Sequence, residues 1–215
     1  MPKKKHKSVD ETMREYDERY GSLPLFKEEI LEYLQKEYKK IDLERIDAMA
    51  NEIDAIPWKT ENYIIPIIPK PASRPRYSFE TKHFYVPGAS SNKTIMKKIL
   101  GISDNIILAR VAIVLTTYQP TPCYKMNQNE IYLAELGKIR PLIDPDFDNF
   151  TKAYMDAIQG VLIADDNIIT DAQIHKCFSV KPRVELELSY QTRPDSRYNE
   201  KVLNGRIQRI NEKGI

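Results

Sequence analysis

Residues Ile143–Gln173 read IDPDFDNFTKAYMDAIQGVLIADDNIITDAQ. The run gathers Asp144, Asp146 and Asp148, then Lys152, then Asp165 and Asp166. A carboxylate at a helix start is favoured by the exposed amides and by the helix dipole. The run therefore predicts a helix capped by Asp146 or Asp148 that reaches Gln159 and stops at Gly160. Asp146 and Asp148 are two apart, so in an extended segment both project to one face. Asp148 and Lys152 are four apart and stack on one helix face, with Asp156 one turn further on. Asn149 can cap the helix or hydrogen-bond a ligand. Val161–Ile163 and Ile168–Lys176 read as strand segments, and the helix and strand together bring Asp165 and Asp166 back toward Asp146 and Asp148.

Gathering carboxylates has a cost. Two like charges about 4 Å apart repel by roughly 1 kcal/mol in water and about 4 kcal/mol at an effective dielectric of 20. The repulsion is relieved when one carboxyl takes a proton or when a cation binds. Oxygen ligands alone favour Mg²⁺, Mn²⁺ or Ca²⁺ over zinc. Each part also has a plain reading. Asp146 or Asp148 serves as an N-cap. Asp148 with Lys152 forms a surface ion pair worth about 0.3–0.5 kcal/mol. Asp165 and Asp166 make a turn. Asp144 and Asp156 are read as ordinary residues.

Working outward, Ile106–Gln119 is the strongest strand, apolar and β-branched. Arg183–Tyr190 (RVELELSY) alternates with period 2, with one polar face toward solvent. Asn62–Pro69 (NYIIPIIP) reads as the first strand. Residues 70–94 read as irregular, 93–100 as a short basic helix, and 120–142 as a loop or irregular hairpin. Upstream, three helical pieces are predicted: Val9–Tyr20; a second from Pro24 with the stripe Phe26, Ile30, Leu34 and Tyr38; and a third from Asp42 to Pro57 burying Ile46, Met49, Ala50 and Ile53.

The chain has 215 residues and a hydrophobic fraction of 41%, enough for a core in one domain with an accessory segment or in two small domains. No apolar run approaches the roughly 20 residues of a membrane span, and no signal peptide is read. The expectation is a soluble, cytoplasmic protein with no membrane partner. Cys123 and Cys177, the two cysteines, match no metal spacing and read as reduced thiols. The net charge of +2 conceals blocks: +4 over residues 1–9, −7 over 10–61, +7 over 62–140, and +3 from Arg193 onward. A basic block before an acidic pocket suits an enzyme that cleaves a polyanion, the cations holding phosphates and a metal neutralising the carboxylates.

The joint pattern is more specific than its parts. Pro145-Asp146-Phe147-Asp148-Asn149-Phe150-Thr151-Lys152, then Asp156-Ala157-Ile158-Gln159-Gly160, then Asp165-Asp166-Asn167-Ile168-Ile169, resembles the RusA family of Holliday-junction endonucleases. Pro69–Tyr77 (PKPASRPRY) is similar to that family's proline- and arginine-containing loop after the first strand. Asn167 stands where the family often has a small residue. The resemblance covers roughly residues 62–190 and implies an α+β fold: a mixed β-sheet with flanking helices, preceded here by an N-terminal helical segment.

The resemblance also implies a Mg²⁺-dependent endodeoxyribonuclease acting in DNA recombination and repair, with Mn²⁺ able to substitute. It implies a homodimer that nicks opposed strands of a DNA four-way junction, in a bacterial cell or encoded by a prophage or phage. The metal-binding aspartates correspond to Asp146, Asp148 and Asp166, with Asp165 as a ligand or neighbour of one, and the essential lysine corresponds to Lys152. Lys70, Arg74, Arg76, Lys93, Lys97 and Lys98 would grip DNA phosphates; Tyr77, Phe84 and Tyr85 would stack on bases or pack within their own loop. The expected organisation is 1–61 as basic tail and helical extension, 62–192 as nuclease domain, and 193–215 as a polar basic tail of little core value. Two other readings stay open: a non-catalytic branched-DNA-binding module, and a D-x-D metal-dependent transferase, the latter without a glycine-rich nucleotide loop to support it.

Overall fold

Val111–Pro120 (β4) is buried at Val111, Ile113, Leu115, Thr117 and Gln119 and half-buried between them, the alternation of a strand with two unequal faces. The structure, a computed structural model, describes residues 27–38, 42–72, 76–78, 83–85 and 106–213, with single positions 11, 14 and 94. By compactness the chain separates into two units, Met1–Asp54 and Ala55–Ile215.

In the first unit, α1 spans Lys27–Glu37 and α2 spans Leu43–Asp54. The sequence predicts buried stripes on both. Instead Ile30, Tyr38, Ile46 and Met49 are exposed, and no residue of α2 is buried. An apolar stripe defines which face can be buried, but a partner surface must exist to bury it. The predicted Val9–Tyr20 helix lies outside the described residues except for Glu11 and Arg14, which are helical.

The second unit is built on a four-stranded mixed sheet in the order β1-β6-β4-β5. Strand β1 is Trp58–Ile65, β5 is Ile169–Ser179 and β6 is Arg183–Gln191. The β1–β6 and β6–β4 pairs are antiparallel and β4–β5 is parallel. A parallel neighbour needs a crossover of a dozen or more residues, and the helices between β4 and β5 supply it. The polar face expected for β6 is present: Val184, Leu186 and Leu188 are buried while Glu187 is exposed.

Four local readings are corrected. Residues 70–94 include a two-stranded sheet, β2 (Arg76–Ser78) with β3 (His83–Tyr85), paired Tyr77 to Phe84. Residues 120–142 contain α3, Gln128–Glu135. Its signal was a capping box: the Asn127 side chain accepts from Glu130 N at 3.0 Å, and Asn127 N donates to Glu130 Oε2 at 2.8 Å. Val161–Ile163 is a tight turn rather than a strand. Gly160 adopts φ 69°, its N donates to Ile163 O at 2.7 Å, and Ile163 bridges to Ile107. The C-terminal segment forms α5, Arg197–Lys213, whose Leu203 joins the main core. This buried apolar anchor, Leu203, was hidden in a polar composition.

The core lies between the sheet and α4, Phe147–Ile158. Phe150, Ala153, Tyr154, Ala157 and Ile158 are buried from the helix, against Val111, Ile113, Leu115, Leu186 and Leu188 from the strands. Cys177 is buried, Cys123 is exposed, and both are free.

Candidate active site

The 3.6-residue period that turns Phe150, Tyr154 and Ala157 into the core leaves Asp148, Lys152 and Asp156 on the outer face of α4, and all three are exposed. Of the two candidate caps, Asp146 is the N-cap, with extended backbone (φ −60°, ψ 153°), and Asp148 falls in the first turn. The Asp146 side chain makes no capping hydrogen bond to the helix backbone. Asn149 Nδ2 reaches its Oδ2 at 3.5 Å. The helix N-terminus thus presents two exposed carboxylates where its amides favour negative charge.

The loop after β1 is pinned to the same helix. Lys70 N donates to the Tyr154 hydroxyl at 3.1 Å, and Ala72 N donates to Asn149 O at 2.9 Å. Burial pushes the Tyr154 hydroxyl pKa up, which keeps it neutral as the acceptor. Lys70 itself is exposed, so its ammonium stands on a loop fixed against the first turns of α4.

Residues 159–164 turn back against the start of β4. Ile107 N donates to Leu162 O at 2.9 Å and Ala164 N to Ile107 O at 3.1 Å. A 3-10 turn, Asp166–Ile168, follows, capped by Asp165, whose Oδ1 accepts from Asn167 N at 3.3 Å and from Asn167 Nδ2 at 2.9 Å. The Asp166 carboxyl is held above its ordinary value first by a side-chain hydrogen bond with Asp165. Burial adds to this, as do the negative charges of Asp165 and then Asp156. The turn therefore brings Asp165 and Asp166 together and sets Asp166 in the field of Asp156, a residue with no role expected from the sequence.

Asp148 and Asp156 are eight residues apart, about 12 Å along the helix axis. The acidic groups thus form a band along the outer face of α4, with Lys152 midway between Asp148 and Asp156. Among the described residues, no three His, Cys, Asp or Glu side chains stand close enough to hold one metal ion as placed. The chemistry of the candidate donors nonetheless suits a hard divalent cation: all are carboxylates, and the negative charges of Asp165 and Asp156, which add to the hydrogen bond and burial that raise the Asp166 carboxyl, are what a cation relieves.

Of the expected phosphate-gripping residues, Lys70 lies beside this helix, and Arg76 is in β2, as is Tyr77, with Phe84 and Tyr85 in β3. Arg74, Lys93, Lys97 and Lys98, with nearly all of the predicted 93–100 helix, lie outside the described residues. A residue the sequence did not single out is Lys176 of β5, whose Nζ donates to Ile143 O at 2.9 Å and to Pro145 O at 2.8 Å. A lone lysine in a strand has no motif that would reveal it.

The raised Asp166 pKa has a signed consequence. A carboxyl shifted above its unfolded value of 3.8 favours the fold below that value and loses the benefit as pH rises through the folded pKa. At pH 7 the ionised group therefore opposes the metal-free fold. Asp166→Asn is expected to raise the melting temperature in EDTA at pH 7 by about 1–2 °C, the scale of several tenths of a kcal/mol for a solvent-screened group. The difference from the parent closes as pH falls below 3.8. Thermal unfolding followed across pH checks this, and a fall in melting temperature at pH 7 would count against the repulsion.

Among the described residues no helix is long and apolar enough to cross a membrane. A sequence profile of the family described as endodeoxyribonuclease RusA matches residues 66–189, more than half of the chain. The chain is also similar to YqaN, an uncharacterized protein of Bacillus subtilis (strain 168). The two are 27% identical over 124 residues, 55% of this chain and 87% of that protein. The aspartates, the lysine, α4 and strands β4 and β5 all lie within the matched region, and the chain belongs to the RusA endodeoxyribonuclease family.

Proposed function

We propose that this protein is a divalent-metal-dependent endonuclease that resolves Holliday junctions in DNA recombination and repair, cutting two opposed strands as a homodimer. The observation that carries this reading is the band of Asp146, Asp148, Lys152 and Asp166 on and beside the outer face of α4, inside the span matched by the family. Mg²⁺, or Mn²⁺ in its place, would be held by Asp146, Asp148 and Asp166 with Asp165 alongside, and supplies a bound water of lowered pKa and charge neutralisation at the phosphate.

The chain's own residues do the rest. Lys152, exposed between Asp148 and Asp156, places its ammonium where a phosphate brought to the band gains negative charge in the five-coordinate transition state. The water oxygen would bond to phosphorus as its proton passes to solvent, and the bond from phosphorus to the 3′ oxygen would break, the leaving 3′ oxygen taking up a proton from solvent. The products are a 5′-phosphate and a 3′-hydroxyl. Lys70, on the loop tied to Tyr154 and Asn149, holds a phosphate flanking the cut, with Arg74, Arg76, Lys93, Lys97 and Lys98 extending the contact along the strand. A four-way junction has two symmetry-related cut sites, which a two-fold dimer matches.

A second reading, a junction-binding module without catalysis, is favoured by the absence of a ready-made three-carboxylate cluster among the described residues. End-labelled mobile four-way junctions separate the two. The nuclease reading expects paired nicks that require Mg²⁺ or Mn²⁺, vanish in EDTA and do not appear on linear duplex. Tight junction binding with no nicking in either metal would favour the binding module.

A further inference from the structure

We propose that Lys176 is a positioning residue that holds the Asp146–Asp148 arm of the site in register for a divalent cation. The inference rests on the metal-dependent reading above. The segment before α4 runs Arg140–Asp146; Pro141 is buried, but past it Leu142 is 96% exposed, Ile143 59%, and Asp144 is exposed. Beyond Pro141 the segment is therefore held chiefly by hydrogen bonds. Lys176 Nζ donates to the carbonyls of Ile143 and Pro145, the latter directly before Asp146. Bonds from an ammonium are stronger than neutral ones, and a flexible side chain is fixed in making them.

The other end of the segment is fastened to the same place. Arg140 Nη1 donates to Lys176 O at 3.4 Å and contacts Cys177 Sγ. Lys176 sits opposite Thr117 in the β4–β5 ladder, so the anchor is the sheet itself. Arg140 reaches down to the β5 backbone while Lys176 reaches up to the loop backbone, and the aspartates follow from where that clamp ends. With its ammonium engaged by two carbonyls, Lys176 acts through the loop rather than on the phosphate, in contrast to Lys152. Partners that orient metal ligands typically contribute 10- to 100-fold to metal affinity.

The test uses the full chain with Lys176→Met, which keeps the aliphatic stem and removes the donors, and Lys176→Arg, which restores charge and donors. Lys176→Gln, with one amide donor group, stands in should the methionine variant not fold. Mn²⁺ binding is read by electron paramagnetic resonance without DNA, and junction cleavage is titrated with Mg²⁺. The expected result is Mn²⁺ affinity weaker by on the order of 10- to 100-fold in Lys176→Met. The Mg²⁺ half-saturation of cleavage rises in step, the rate returns toward the parent's at saturating Mg²⁺, and Lys176→Arg recovers much of the affinity. A Lys176→Met protein that melts lower yet binds Mn²⁺ like the parent would overturn the proposal alone. No Mn²⁺ binding by the parent would overturn it together with the metal-dependent reading.

Discussion

Lys152→Ala is expected to slow junction cleavage by about 10²–10³-fold, the cost of removing one group aimed at charge that develops in the transition state. The loss arises in chemistry rather than folding. Lys152 is exposed, alanine is the best helix former, and the pairs it could make with Asp148 or Asp156 at four-residue spacing are worth only about 0.3–0.5 kcal/mol. Asp148→Asn keeps the shape of the side chain and removes the charge that a cation needs, and the same scale of loss is expected. Single-turnover cleavage of a labelled mobile junction in Mg²⁺ measures both, with gel-shift binding in EDTA as the control. Symmetric nicking at the parent rate by both variants would remove Asp148 and Lys152 from the site.

Phe150→Ala should produce the largest loss of stability. Phe150 is 1% exposed and faces the sheet from the first turns of α4. Large-to-small changes of this kind typically cost 3–5 kcal/mol, because the lost transfer energy is joined by an unfilled cavity. For a unit of this size that corresponds to a fall in melting temperature of about 6–20 °C. Cleavage is expected to fall as well, since the same helix carries Asp148 and Lys152 on its other face. A shift of less than about 2 °C in thermal unfolding would mean that α4 is not packed on the sheet as described.

The helical part of the candidate site was legible because its residues are close in sequence and because helix geometry is a local property. Four-residue spacing alone puts Asp148, Lys152 and Asp156 on one face, and an aspartate before the helix needs only exposed amides to be favoured there. Strand β6 was legible for the same reason, since its period-2 alternation is written in consecutive residues. The misreadings have equally local causes. Asn127 with Glu130 is a capping box built on asparagine, set within a segment whose composition reads as loop. Val161–Ile163 has strand-like composition, but the positive φ at Gly160 turns the chain before a ladder can form. The stripes of α1 and α2 are helical as expected, yet Ile30, Tyr38, Ile46 and Met49 are exposed and Leu34 and Ile53 only half-buried.

What the sequence by itself determined is the set of short-range relations: which residues share a helix face, where α4 ends, and which charges lie near one another along the chain. These follow from backbone periodicity and from the chemistry of exposed amides. The tertiary structure decided the long-range relations. It set the turn at Asp165–Asp166 in the field of Asp156, tied Lys70 and Ala72 to α4, and brought Lys176 under the carbonyls of Ile143 and Pro145. Lys176 lies 31 residues beyond Pro145, across a helix and most of a strand. No local rule links residues at that separation. Their meeting depends on burying the apolar face of α4 against a sheet whose β4–β5 register is fixed only when the whole core closes.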